Sequence, residues 1–426
     1  MASGGDRATD SYDVIVVGGG PGGASAAYHL AAGGARVLLV EKSTYPREKV
    51  CGDGLTPLGT AALDAMGLTD AYADWPRNVG LRVHGGGHTL ELPWPEVTGQ
   101  PSFGLTQRRI DLDHLLVKQA VKAGATLMAS TDVVRPLVEA GQVVGAELQR
   151  HDGKGRAKVK EDPFDVRADL LVAADGASSR IGQALGHRRD EKRPIAVAMR
   201  TYYRTERDED PWIDSYLELW KDDELLPGYG WVFPMGDGTV NVGLGLLNTS
   251  SGFGNTNYKQ LLASWAPTAG RDWGYTAEDV AGPPLSRPLP MGANRHPGLY
   301  RGVLFVGDAA GMINPFNGEG ISYAMETGEM AATTALDVLA SGDRSRLSAY
   351  PSAITKRYGS YYTLGRTFVK VIGDPRVMRF CTNFGMTRPR LMNLVLKLLG
   401  NMYEPAGGNL SDRVVSALNA MAPVRP

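Results

Sequence analysis

Long apolar runs are missing from this sequence. No stretch of its 426 residues approaches the ~20 consecutive apolar residues that cross a bilayer as a helix. Cysteine is nearly absent: Cys51 and Cys381 lie far apart and offer no disulfide framework, which suits a reducing compartment. The polar opening MASGGDRATDS lacks the apolar core of a signal peptide. Neither sign of charge prevails, since 45 Lys and Arg meet 46 Asp and Glu, which argues against a uniformly basic nucleic-acid binder. The seven histidines are scattered, with no Ser-His-acid pattern and no ligand spacing, so no metal is expected. These absences leave a cytoplasmic chain, at most peripheral to the inner face of a membrane and long enough for two or three domains.

Glycine is abundant, with 54 residues, and its placement carries the argument. The stretch YDVIVVGGGPGGASAAYHLAAGGARVLLVEK opens with an apolar strand, Val14 to Val17, and turns through Gly18 to Gly23. It continues as an Ala-rich helix and a second apolar run ending at Glu41. In this G-x-G-x-x-G, Gly18 permits the tight turn, Gly20 lets backbone approach a pyrophosphate, and Gly23 lets helix pack on strand. Pro21 and Gly22 lie at the helix N-terminus, whose free N–H groups and positive dipole end suit phosphates. Glu41 sits about 20 residues on, where a carboxylate accepts from ribose hydroxyls. A glycine turn alone is a weak signal; strand, helix, second strand and acid together point to a dinucleotide.

Further along, a loop runs from Ser43 into a helix near Pro57, and Val79 to Pro95 alternate as a hairpin around Gly85 to Gly87. A helix begins near Asp111, and strands are expected at Thr131 to Val138 and Val143 to Leu148, with HDGKGRAKVKED as a hairpin tip. Two more apolar strands, Leu170 to Ala174 and Gly302 to Val306, each run into a glycine-containing turn, Asp175-Gly176 and Gly307-Asp308. Ile195 to about Leu247 alternates as an antiparallel sheet does. A long helix is expected from about Gly320 to Leu339, and the last eighty residues read as helical. The expected class is α/β, a Rossmann-type domain with an inserted antiparallel sheet, because ligands of parallel sheets sit at the carboxyl ends of strands.

With these residues in view, the chain resembles the FAD-dependent para-hydroxybenzoate-hydroxylase-like superfamily. Gly18 to Gly23 with Glu41 matches its first FAD motif, LLVAADGASSR its second, and LFVGDAAGMINPFNGEG its third. The resemblance implies FAD contacts from Lys42, Asp175, Gly176, Gly307 and Asp308, and from the loop holding Pro315, Gly318, Gly320 and Ile321. Arg109 in R-x-x-L-D matches an arginine near the FAD phosphates, with Arg108 the alternative match. It also implies an FAD-binding domain of residues 12–75, 104–190 and 296–350. A β-rich substrate domain would take 76–103 and 191–295, and a helical region 351–426.

Two stretches resemble the geranylgeranyl reductase branch: the loop Cys51-Gly52-Asp53-Gly54 and the strand Tyr229-Gly230-Trp231-Val232-Phe233-Pro234. DPWIDSYLELWKDDELLPGYGW and NGEGISYAMETG look like its actinobacterial members, which implies an isoprenoid lipid substrate, the menaquinone side chain first. Geranylgeranyl diphosphate or another prenyl lipid is the alternative within the branch. An isolated trisubstituted alkene is a poor hydride acceptor, so saturation needs hydride from reduced flavin and a proton from an acid. Cys51 and Asp53 are the expected acids, with Tyr229 and Trp231 beside them and Gly52, Phe233 and Pro234 shaping the substrate wall. Tyr229, Trp231 and Phe233 share one strand face, and taken alone such a stripe is more often plain sheet core. Cys51 taken alone is as well read as an inert buried thiol.

There is no second strand–GxGxxG–helix unit, so electrons come from NAD(P)H bound without such a domain or from another reduced carrier. From Lys356 to Asn401, nine Lys or Arg oppose one acid, Asp374, interleaved with Phe368, Phe380, Met392 and Leu394. That pattern suits a helix lying on anionic lipid, and equally an amphipathic helix packed on the FAD domain. Two rival functions stay open: a flavin-dependent aromatic monooxygenase, and a non-enzymatic isoprenoid carrier.

Overall fold

Val14 to Val17 and Val37 to Val40 are apolar without alternation, and both become central strands buried on both faces. The computed structural model describes residues 11–152, 159–221, 224–249, 253–295, 298–404 and 408–424. Its parallel strands are β1 (Tyr12–Val17), β2 (Val37–Val40), β3 (Thr126–Met128), β4 (Phe164–Ala173) and β5 (Val303–Phe305). They lie side by side in the order β3-β2-β1-β4-β5. The helices are α1 (Pro21–Ala32), α2 (Pro57–Ala65), α3 (Arg109–Lys122), α4 (Arg180–Leu185) and α5 (Tyr258–Trp273). They continue with α6 (Ile321–Ser341), α7 (Ala349–Ile372), α8 (Pro375–Met386), α9 (Pro389–Gly400) and α10 (Leu410–Met421).

The three glycine-ended strands are neighbours, and their register levels their ends. Val17 pairs with Ala173, and Ala173 with Phe305. The turns Gly18–Gly23, Asp175–Gly176 and Gly307–Asp308 therefore converge from distant parts of the chain. Arg295, a residue that sequence reasoning passed over, is buried between the last two. Its guanidinium donates to the carbonyls of Ala177 and Ser178 at 3.2 Å and of Ala309 at 3.1 Å. Helices α1 and α6 cross in close contact, because a Cβ on Gly328 would stand 2.4 Å from the Gly22 carbonyl oxygen.

The second sheet has seven strands, in the order 285–290, 195–204, 239–247, 228–234, 212–216, 80–85 and 88–93. The hairpin expected at Val79 to Pro95 forms its edge, Gly80–Gly85 against His88–Pro93. Pairing is antiparallel except where Trp212–Tyr216 runs parallel to Gly80–Gly85. Strict alternation splits its two faces. Tyr203, Val232, Val242 and Leu244 pack against Leu261, Trp265 and Trp273 of α5. The other face, with Tyr202, Trp231 and Asn241, turns toward the Cys51 loop.

Two elements depart from the sequence reading. Helix α5 arises in a region expected to be β-rich, capped by the Asn257 side chain and stopped by Gly274 at φ +69°. Its apolar residues recur at helical rather than alternating spacing, which is what covers a sheet. Helix α3 starts at Arg109, two residues ahead of the expected Asp111, so Arg109 faces inward from the first turn. The tip of the expected HDGKGRAKVKED hairpin lies outside the described residues; its flanks pair, His151 with Lys160.

Removing the Arg295 clamp should cost stability, since each buried carbonyl left without a donor costs about 1–3 kcal/mol. Arg295→Met is expected to lower the Tm by roughly 4 °C or more. An unchanged melting curve would mean the two turns hold each other without it.

Candidate active site

The glycine turn is shaped by side chains as well as by φ. Gly18 adopts φ +100°, and a Cβ on Gly23 would lie 1.8 Å from the Gly18 carbonyl oxygen, so neither position admits a side chain. Gly20 faces open space apart from Arg47, so backbone there is approachable. Pro21 opens α1, and the first intrahelical bond runs from Ala24 N–H to Gly20 O, leaving the Gly22 and Gly23 amides ahead of it. Glu41 is buried; its carboxylate accepts from the Gly19 amide at 2.9 Å and the Ser43 amide at 3.0 Å. It thus holds the turn itself. Lys42, one residue on, is exposed.

Cations gather at the converged strand ends. Arg109 is buried and grips Asp113 with two bonds, 2.6 and 2.8 Å, and Arg47 reaches the same carboxylate at 3.1 Å. Asp113 and Cys51 keep the Arg109 guanidinium charged well above the usual range despite its burial. Arg108 turns the other way, to Asp237 and Thr239 of the second sheet, so of the two arginines only Arg109 joins this group. Lys49 adds an ammonium near Gly176; burial pushes it below its ordinary value and Asp308 opposes that. Burial raises the Asp308 carboxyl, and Lys49, Arg109 and Arg295 pull it back. Asp175 accepts from the Ile181 amide through Oδ2, while its buried Oδ1 has no partner among the described residues.

These features fit FAD. The backbone at Gly20 is open, two helix N-termini stand side by side, buried cations suit phosphates, and an unpartnered carboxylate oxygen waits at the second strand end. Lys49, Arg47, Arg109 and the first turns of α1 and α6 would hold the phosphates, and Asp308 and Asp175 would take hydroxyls. The loop of the third motif closes this edge. Pro315 packs on Gly365 of α7, Gly318 sits at φ +78°, Gly320 caps α6, and Ile321 is buried.

The reductase-type motifs meet on top of it. The ring of Phe233 would lie 3.1 and 3.0 Å from a Cβ on Gly52 and Gly54, so those glycines let the Cys51 loop press against the aromatic strand. Tyr229, Trp231 and Phe233 form one continuous face, with ring centroids 6.0 and 6.2 Å apart. Tyr229 donates to the Asn317 carbonyl at 2.6 Å, tying this face to the third-motif loop, and burial pushes its phenol up to about 12. Pro234 ends the strand opposite Val240.

Asn241, unremarked in the sequence, is the knot. Its amide oxygen accepts from Trp231 Nε1 at 2.9 Å, and its nitrogen donates to the Cys51 carbonyl at 3.0 Å and to Asp53 at 2.8 Å. Asp53, at φ +64° and fully buried, also accepts from Tyr202 at 2.5 Å and from the Arg109 amide at 3.2 Å. Both its oxygens are thus occupied, while burial raises its pKa. Burial likewise raises Cys51, against the pull of Arg109, so its sulfur is kept as thiol. A polar Asn between buried Val240 and Val242 was the one signal in the sequence that could have marked this knot.

Comparison with known proteins bears on the family and the fold. A family model for the FAD binding domain matches residues 11–229. The menaquinone reductase of Mycobacterium tuberculosis (strain ATCC 25618 / H37Rv) is 36% identical over 401 residues, covering 92% of each chain. Digeranylgeranylglycerophospholipid reductase 1 of Methanopyrus kandleri is 31% identical over 357 residues, 82% of this chain and 84% of that one. A geranylgeranyl bacteriochlorophyll reductase-like protein from Thermoplasma acidophilum has the same fold. Its TM-score is 0.76 at 23% identity, over 96% of this chain and 99% of its own. The chain is a FAD-dependent oxidoreductase and belongs to the FAD-binding family, in the branch that holds the menaquinone and geranylgeranyl reductases.

Proposed function

We propose that this protein saturates an isoprene C=C bond of a prenyl lipid, with the menaquinone side chain as preferred substrate. The observation that carries the reading is the aromatic face Tyr229–Trp231–Phe233, laid against the Cys51–Gly54 loop and tied to the third-motif loop. The region built on β1 to β5 (12–75, 104–190, 296–350) would hold FAD, and the region of the seven-stranded sheet (76–103, 191–295) the lipid. Bound and reduced, FAD supplies the hydride equivalent. The chain's own residues keep water out, present aromatic faces that favour positive charge developing on the alkene, and hold a proton ready. Cys51 and Asp53 stay in the site as residues of this wall, Cys51 as thiol.

We assign the tail of the lipid to the apolar region beside this face. Beside Phe233, the buried residues Val83, Leu92, Ile213, Met386, Met392 and Met402 fill the space between the second sheet and helices α8 and α9. Methionine adapts its shape, as a flexible isoprenoid chain requires of its surroundings.

The basic tail divides in two. Helix α7 packs inward through Tyr350, Tyr358 and Tyr362, with Tyr350 donating to the Phe305 carbonyl at 2.7 Å. Helix α8 instead presents Phe380, 65% exposed, and Phe384, 42% exposed, stacked at 5.5 Å. Arg388 lies 3.6 Å over Phe384, and Arg379 sits by the half-exposed Trp220. Phe380, Phe384, Arg379 and Arg388, with Pro375, Arg376 and Asn383, line a cleft of about 650 Å³. We assign this face to an anionic phospholipid surface, since guanidinium groups beside aromatic rings match phosphate headgroups over acyl chain. Among the described residues no helix is long and apolar enough to cross a membrane.

The function is tested by mixing dithionite-reduced, FAD-loaded protein with menaquinone, geranylgeranyl diphosphate and a digeranylgeranyl lipid without oxygen. Menaquinone should gain two hydrogens by mass. Gain by the diphosphate alone would move the substrate, and product formed only with oxygen would make the protein a monooxygenase. A chain that binds prenyl lipid but takes up no flavin would make it a carrier. Cys51→Ala and Trp231→Ala are expected to keep FAD and lose most prenyl reduction; wild-type product mass in both would remove them from the site. Arg376→Glu with Arg379→Glu should abolish sedimentation with phosphatidylglycerol vesicles while leaving turnover of detergent-dispersed substrate unchanged. Equal binding of the variant would place the lipid contact elsewhere.

A further inference from the structure

Three of the acids in this site have their hydrogen bonds or their shape committed. The Tyr229 proton goes to the Asn317 carbonyl, Asp53 accepts on both oxygens, and Cys51 lies in a loop held by Asn241. Glu319 differs. It stands in the third-motif loop between Gly318 and Gly320, and a Cβ on Gly320 would come within 3.7 Å of Asp308 Oδ1. One oxygen, Oε1, accepts from Thr56 and from Ser322, each at 2.6 Å. The other, Oε2, is shielded from solvent and has no partner among the described residues.

We propose that Glu319 is the proton donor for alkene saturation, delivering from Oε2 to the substrate carbon. This rests on the prenyl reductase reading above. The Oε2–H bond breaks as a C–H bond forms; the hydride on the neighbouring carbon comes from reduced FAD, which loses two electrons. The carboxylate left behind is held at Oε1 by the Thr56 and Ser322 hydroxyls, and Oε2 regains its proton from water that enters when the product leaves.

Position supports the role. Thr56 lies two residues beyond Gly54, so the Glu319–Thr56 bond joins the end of the Cys51–Gly54 loop to the third motif. Tyr229 feels the charge of both Glu319 and Cys51, which places the three in one neighbourhood. The charge state supports it too. Burial raises the Glu319 carboxyl above its ordinary value, and the charge of Glu326 raises it further. Bonds from Ser322, Thr56 and Asn317 pull the other way. A carboxyl raised by burial, with one oxygen that has no partner among the described residues, is suited to donate.

The rival is a strut, an acid kept only to cross-link two loops. Glu319→Gln separates them, since the amide oxygen still accepts from Thr56 and Ser322 but the acidic proton is gone. The variant should retain FAD and lose turnover by about 10²-fold or more. The FAD-loaded wild type should show a neutral carboxylic C=O infrared band at neutral pH that the variant lacks. Thr56→Val removes a bond that favours the anion, so the Glu319 pKa rises and the high-pH loss of kcat should move to higher pH. Wild-type turnover in Glu319→Gln, no difference in the carboxylic band, or an unmoved high-pH limb in Thr56→Val would each overturn the assignment. Failure of the wild type to reduce any prenyl lipid would instead sink the function reading.

Discussion

The level register of β1, β4 and β5 is the constraint on which everything else depends. Because Val17, Ala173 and Phe305 are paired across the sheet, three turns separated by long stretches of chain open at one edge. A shift of one strand would carry its glycine turn away from the others. Arg295 and the α1–α6 contact at Gly22 and Gly328 keep that alignment from outside the sheet. Cations, helix N-termini and Asp308 then face the same volume as a consequence of backbone pairing.

The second dependence is polar and buried. Asn241 ties Trp231, the Cys51 carbonyl and Asp53 into one network, and Tyr202 and the Arg109 amide complete it. A buried carboxylate without donors would cost several kcal/mol, roughly, so this network is worth having only when every member is satisfied. It joins the second sheet and helix α3 to the Cys51–Gly54 loop, so the aromatic strand and the cofactor edge are fixed relative to each other. Asp53 has both oxygens committed to this network, whereas Glu319 Oε2 has no partner among the described residues.

The C-terminal helices show the same division of labour. Tyrosines of α7 bond to carbonyls beneath the cofactor edge, Tyr350 to Phe305 and Tyr362 to Met312. Helix α8, with the same basic and apolar composition, turns its aromatic rings outward. One helix thus braces the cofactor edge while the other leaves aromatic and basic side chains at the surface.

The sequence by itself determined the α/β class, the three glycine-cornered strand ends, the family and most of the elements. Glycine spacing and apolar runs are local signals that need no knowledge of contacts, which is why the strand ends at Gly18, Asp175 and Gly307 are legible in the chain, while the roles expected of Asp175 and Asp308 came from the family resemblance. Helix α5 escaped because its apolar period was read within a β-rich frame, and Arg109 could not be told from Arg108 until the first turn of α3 fixed which faced inward. Asn241, Arg295 and Glu319 were decided only by tertiary structure. Their significance lies in partners far away in the chain, Cys51, Ala177 and Thr56, and whether a buried polar atom is satisfied or left free depends on what folding brings beside it.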